Sequence, residues 1–126
     1  MSRSICFVIP GDSNELGPNK RLHWQAERRI KEQWRSKVSV CFLLCYGDSG
    51  LFFQRARITF TLRRGRLLDP DNAHSSRCLK VLVDVLKAWL FPDDKQACVE
   101  YGPIRQETGK QWRLQPEVEV LVEELK

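Results

Sequence analysis

The sequence predicts an α/β fold, a mixed sheet of about four strands covered by two helices in the order β-α-β-α-β-β. Three observations lead there. "RARITFTLRRGR" alternates strictly, with Ala56, Ile58, Phe60 and Leu62 on one side and Arg57, Thr59, Thr61 and Arg63 on the other. Two longer segments carry apolar residues at helical spacing, and short β-branched runs flank them. At 126 residues and 42% hydrophobic content, residues 1–126 form a single domain, large enough to bury about two thirds of the unfolded chain's surface in one core.

"SICFVIP", ending at Pro10, has the length and composition of a buried strand, and "GDSNELGPNKR" after it is turn chemistry. From about His23 to Tyr46, Ile30, Trp34, Val38, Cys41 and Cys45 form the apolar stripe of an amphipathic helix. Its other face is basic, with Arg28, Arg29, Lys31, Arg35 and Lys37 interrupted by Glu27 and Glu32. These acids also make ordinary helix-surface pairs, Glu27 with Lys31 and Glu32 with Arg28 or Arg35. The alternating strand follows. Leu79, Leu82, Val83, Leu86 and Leu90 then mark a second helix, which Pro92 prevents from continuing. "ACVEYGPI" and "PEVEVLVEEL" read as two strands of a hairpin joined by "RQETGKQ", with Gly109 available for positive φ.

Five scattered cysteines without a CxxC pair argue against a disulfide framework or zinc ribbon and for a reducing compartment. Cys41 and Cys45, one turn apart, could join His23 or His74 on a metal, but buried thiols on an apolar stripe are the simpler reading. There is no signal-peptide pattern, and "VSVCFLLCY" is too short to span a bilayer. The expectation is a cytoplasmic protein with no membrane partner. The net charge of +5 is uneven: residues 1–66 carry thirteen Lys and Arg against five Asp and Glu, residues 67–126 eight against eleven. A basic front half suits a polyanion, though it equally suits a solvated surface.

Two acidic turns, "LDPDN" and "FPDDKQ", bracket the second helix. Asp69, Asp71 or Asn72 can cap a helix, and Pro-Asp-Asp is ordinary turn chemistry. Chemistry requires that the turns meet. With Ser75 or Ser76 as the cap, a helix from about Arg77 to Ala88 rises about 18 Å. Extended residues from Trp89 to Asp94 span about 20 Å on the return, which brings Asp94 beside Asp69 and Asp71. Three converging carboxylates repel unless a cation joins them, and all-oxygen ligands suit Mg²⁺ or Mn²⁺. A hard cation, an acidic centre and a basic approach describe phosphodiester hydrolysis.

"PNKRLHW", "LDPDN", the Lys80-Asp84-Leu86 spacing and "LFPDDKQACVEY" together resemble the RusA family of Holliday junction resolvases over nearly the whole chain, most strongly from Asp69 to Tyr101. The resemblance implies a homodimeric, Mg²⁺-dependent endonuclease, with Mn²⁺ as a substitute, that nicks opposing strands of a four-way DNA junction during recombination and repair. It implies metal-binding carboxylates at Asp69, Asp71 and Asp94 and a catalytic lysine at Lys80. The family's lysine stands four residues after the second aspartate, where this chain has Ser75, so Lys80 aligns through an insertion. Asp93 is the alternative to Asp94, since adjacent extended residues face opposite ways.

Expected DNA contacts are Lys20, Arg21, His23, Arg63, Arg64, Arg66 and Asn72, the three arginines reaching toward the Asp69 turn. Trp24 and Trp34 are candidates for base stacking, or for the core. Asp84 is expected to pair with Lys80 or Lys87, and His74 to be polar surface. The alternatives are a non-catalytic nucleic-acid-binding module whose aspartates are helix caps, and a related nuclease that prefers flaps or other branches.

Overall fold

Apolar residues at every second position give two strands that must each bury one face, and they do so side by side. The computed structural model describes residues 3–17, 23–74, 76–87, 89–95 and 97–125, with the backbone but not the side chain of Asp71. β1 (Ser4–Pro10) turns Ile5, Phe7 and Ile9 inward, and β5 (Glu117–Glu124) turns Val118, Val120 and Val122 inward. The two pair antiparallel with Phe7 opposite Val120, and β5 pairs antiparallel with β2 (Ala56–Arg64), where Phe60 also faces Val120. β3 (Val99–Tyr101) and β4 (Arg105–Thr108) both lie parallel to β2 on its other edge. The result is an open mixed sheet of five strands in the order β1-β5-β2-β3, with β4 continuing the β3 edge.

This arrangement corrects the expected hairpin and the expected strand count. The chain after Tyr101 splits at Pro103, which has no N–H to give a ladder, and resumes as β4. Its loop comes close to the sheet at Gly102, whose N–H donates to the Ile58 carbonyl at 2.9 Å. A Cβ there would lie 2.5 Å from the Thr59 hydroxyl oxygen, so glycine is needed for the approach. Of the residues expected to turn a hairpin, Arg105–Thr108 form β4 and Gln111 opens α4 (Gln111–Leu114), and the chain crosses to the far side of β2 to insert β5. Gly109 is not in the left-handed region; among the described glycines only Gly11 and Gly50 are.

One face of the sheet is covered by α1 (Trp24–Tyr46) and α3 (Arg77–Leu86). α1 begins at the predicted place, with His23 as its cap: the imidazole Nδ1 accepts from the Gln25 N–H at 3.3 Å. Its buried stripe is Trp34, Val38 and Phe42, with Ile30, Cys41 and Tyr46 partly covered; Cys45 is exposed. Phe42 takes the place expected for Cys45, meeting the Phe7 ring edge-on at 5.9 Å. Burying such a ring stabilises by about 1.5–3 kcal/mol, more than the smaller apolar area of a thiol supplies. α3 buries Leu79, Leu82, Val83 and Leu86 and ends at Leu86, short of the predicted Ala88, which lies outside the described residues. Of the predicted helix-surface pairs, Arg28 and Glu32 meet at 3.1 Å, while Glu27 pairs across the fold with Arg77 rather than with Lys31.

The opposite face of the sheet is held by charge. Arg63 donates to Glu107 at 3.1 Å, Glu117 at 2.7 Å and Glu119 at 3.1 Å, and its guanidinium lies 5.6 Å from the Trp112 ring centre. Arg57 pairs with Glu100 at 3.0 Å. No helix among the described residues is long and apolar enough to cross a membrane.

Candidate functional site

Leu68 fixes where the first acidic turn begins. Its N–H donates to Gln106 Oε1 at 2.8 Å and its carbonyl accepts from Gln106 Nε2 at 2.9 Å, so β4 clamps the backbone one residue before Asp69. Pro70 then opens α2 (Pro70–His74), proline being suited to a first helical position because its missing N–H would have no partner there. The Asp69 carbonyl accepts from the Ala73 N–H at 3.0 Å. The Asp69 side chain is exposed. Asp-Pro-Asp-Asn therefore starts a short helix of its own, which the sequence reading did not foresee. Ser76 stands at the cap of α3 as expected, yet its hydroxyl accepts no helix N–H and instead donates to the Ser13 carbonyl at 2.6 Å. Ser75 lies outside the described residues.

Residues at intervals of four on α3, namely Ser76, Lys80 and Asp84, line one wall of a cavity of about 300 Å³. His74, at the end of α2, lines the same cavity. Asp94, from the loop after α3, and Tyr101, from β3, also line it, together with apolar residues that include Phe60 and Ile104. The chain after α3 does reverse, although not as an extended run. Trp89 and Leu90 N–H groups both bond back to the Leu86 carbonyl, Leu90 and Phe91 are buried, and the Leu90 carbonyl accepts from Phe53 at 2.7 Å. Two buried apolar anchors thus set the position of Asp94.

Asp93 and Asp94 are separated by this turn. Asp93 lies 3.5 Å from the Lys87 ammonium and 3.7 Å from that of Lys95, and its Oδ1 accepts from the Asp94 N–H at 2.7 Å. Hydrogen bonding with Asp94, and then Lys87, hold its carboxyl below the ordinary range. Asp94 is 4.0 Å from Lys87 at the outer limit of pairing, and it faces the cavity.

Asp84 corrects an expectation. It has no ion pair among the described residues, because Lys87 turns to the acidic loop, and it stands on the cavity wall. Lys80 likewise has no ion pair among the described residues. Burial first, and then the carboxylates of Asp94 and Asp84, push the Tyr101 hydroxyl above its ordinary range. The three groups therefore share one electrostatic environment.

Asp69 does not line the cavity, and the side chain of Asp71 is outside the described residues. Among the described residues no three His, Cys, Asp or Glu side chains gather closely enough to hold an ion, which also leaves Cys41 and Cys45 without histidine partners. The anionic donors lining the cavity are the carboxylates of Asp84 and Asp94, oxygen ligands of the kind a hard divalent cation takes.

The expected DNA contacts separate into three groups. Lys20 and Arg21 lie outside the described residues. Arg63 is a correction: with three glutamates around it on the far face of the sheet, it has no charge to offer a phosphate. Arg64 is held by Asp12, at 2.9 Å, and donates to the Arg66 carbonyl at 2.7 Å, so it shapes the turn. Arg66 and His23 are exposed and Asn72 is half-buried on α2. Trp34 is fully buried, so it belongs to the core, whereas Trp24 is 61% exposed.

Sequence reasoning missed Asp84, Tyr101 and Gln106 as parts of this site. The four-residue spacing of Ser76, Lys80 and Asp84 was a usable signal for the first. No protein-family model matches the chain, and a search of curated proteins finds no match.

Proposed function

We propose that this chain is a Mg²⁺-dependent, structure-selective DNA endonuclease that resolves four-way junctions by paired symmetrical nicks, acting in the cytoplasm as a homodimer in recombination and repair. The observation that carries the reading is that Asp94, from the loop after α3, and Lys80, from α3 itself, line one open cavity. Lys80 is exposed and has no ion pair among the described residues, so its ammonium is available to an anion entering the cavity that Asp94 also lines.

In this reading Asp94, with Asp69 and Asp71 from the α2 turn, holds Mg²⁺, and Mn²⁺ substitutes. Bound there, the ion would supply a Lewis acid for the phosphate and a water of lowered pKa. Lys80 holds a non-bridging oxygen of the scissile phosphate and offsets the charge that builds on it. Asp84 adds a second carboxylate to the same cavity. Arg66, His23 and Asn72, with Lys20 and Arg21, position the flanking backbone without reading sequence. Two such sites on a two-fold axis match two opposed incisions.

The experiment is direct. Purified protein is incubated with a synthetic immobile four-way junction, with and without Mg²⁺, and the nicks are mapped. Symmetrical nicks that require the ion support the proposal; an intact junction at high protein concentration rejects it. A panel of flaps, three-way branches and linear duplex separates a junction resolvase from a nuclease of other branches.

A second reading has its own observation: Asp69 precedes Pro70 at the start of α2, exposed and outside the cavity lining, as a helix-starting residue would be. That favours a non-catalytic nucleic-acid-binding module. Asp71→Asn separates the two, abolishing cleavage with binding retained in the first and changing nothing in the second.

A further inference from the structure

The cavity at Lys80 does not end at Asp94. A second hollow of about 650 Å³ opens on the other side of Asp94 and Tyr101, lined by Arg55, Cys98, Glu100 and Leu125 besides those two. Asp94 and Tyr101 belong to both walls, so they form the divide between the hollows. The charges in the second hollow are unequal in availability. Glu100 is taken by Arg57 at 3.0 Å, while Arg55 is exposed and has no ion pair among the described residues. Its backbone carbonyl is fixed by the Leu125 N–H at 2.9 Å, so the residue is anchored while its guanidinium is free. The Tyr101 ring, 54% exposed, is anchored in turn by the turn at Gly102, whose N–H is bonded to Ile58.

We infer that the second hollow is a nucleotide subsite, in which the Tyr101 ring stacks on the base beside the cut and Arg55 holds the next phosphate. A strand whose phosphate lies at Asp94 and Lys80 must continue on both sides. The two hollows give it a seat in each direction, each with one cation, Lys80 or Arg55, that has no ion pair among the described residues. A fixed aromatic ring and a free guanidinium are the two elements that bind single-stranded nucleic acid without sequence preference. Each hollow falls within the size range of small-ligand sites. The subsite rests on the nuclease reading for its direction, but its binding chemistry can be measured without cleavage.

Binding of a fluorescent four-way junction is measured by anisotropy in Ca²⁺ across a salt series, for wild type, Tyr101→Phe, Tyr101→Leu and Arg55→Ala, after circular dichroism shows each variant folded. Tyr101→Leu should weaken binding about tenfold, a loss of one stacked base, and Tyr101→Phe should restore it. Replacing the base next to the nick by an abasic residue should weaken wild type by the same factor and leave Tyr101→Leu unaffected. Arg55→Ala should lower the salt-dependence slope by about one phosphate contact. Folded Tyr101→Leu and Arg55→Ala proteins that bind as wild type overturn the subsite, even if wild type cuts. Wild type that binds with these dependences but never cuts in Mg²⁺ keeps the subsite and rejects the nuclease. No binding at all rejects both.

Discussion

The Tyr46 hydroxyl, at the end of α1, accepts from the Cys6 N–H and donates to the Cys6 carbonyl, each at 3.0 Å. β1 is an edge strand, and Cys6 points its backbone groups away from β5 at the middle of that edge. A side chain thereby occupies the place where a foreign strand would pair. Tyr46→Phe should cost about 1 kcal/mol, since water can replace one bond at this exposed position. It should also make the protein associate with rising concentration, which light scattering would detect; a variant that stays wild-type in size would show that the edge needs no such guard.

Arg63 and Arg66, three residues apart, should behave in opposite ways. Arg63→Met leaves three glutamates facing one another and should destabilise by about 2–4 kcal/mol, less than a fully buried pair because Glu107 is half exposed. Junction affinity of the folded fraction should be unchanged. Arg66→Ala should leave the melting temperature in place and weaken binding with a smaller salt slope. Urea denaturation beside anisotropy checks both; a folded Arg63 variant with weakened binding would return that residue to the DNA surface.

The repeating elements were legible because local periodicity dictates them. The start of α1 near His23, the Ala56–Leu62 alternation and the leucine stripe of α3 all follow from spacing, whereas the capping role of His23 does not. Strand order was not legible. Val118, Val120 and Val122 announce a strand but carry no mark of its neighbours, and β5 finds both of them more than fifty residues away in sequence. The misplacement of Arg63 follows from that, because its glutamates arrive on β4 and β5. Asp94 does come back to a cavity lined by Ser76 and Lys80, but not by the extended run that the helix-rise arithmetic assumed and not into a lining shared with Asp69. Tyr101 was not legible, since its facing depends on its register with Ile58.

Burial pushes the Cys78 thiol up to about 12, from an ordinary 9.0. Because the native thiol keeps its proton where the unfolded one loses it, the associated stability is complete below about pH 9 and is lost as pH rises toward 12. The melting temperature of wild type should fall more steeply over pH 9–11 than that of Cys78→Ala, whose lower starting value reflects the cavity it leaves. Parallel profiles for the two proteins would contradict the assignment.

Lys80→Ala should lower cleavage about a hundredfold or more, as loss of a charge-stabilising donor does, with little change in junction affinity. Lys80→Arg should recover part of the rate. Single-turnover cleavage beside anisotropy separates the two effects, and an unchanged cleavage rate for Lys80→Ala would remove this residue from the site.

The most direct measurement compares Asp94→Asn with Asp93→Asn in Mg²⁺-dependent junction cleavage, with binding followed in Ca²⁺. Asp94 faces the cavity and Asp93 is engaged by Lys87 and Lys95, so Asp94→Asn should abolish nicking while binding persists, and Asp93→Asn should cut within a few-fold of wild type. Undiminished nicking by Asp94→Asn would contradict the account.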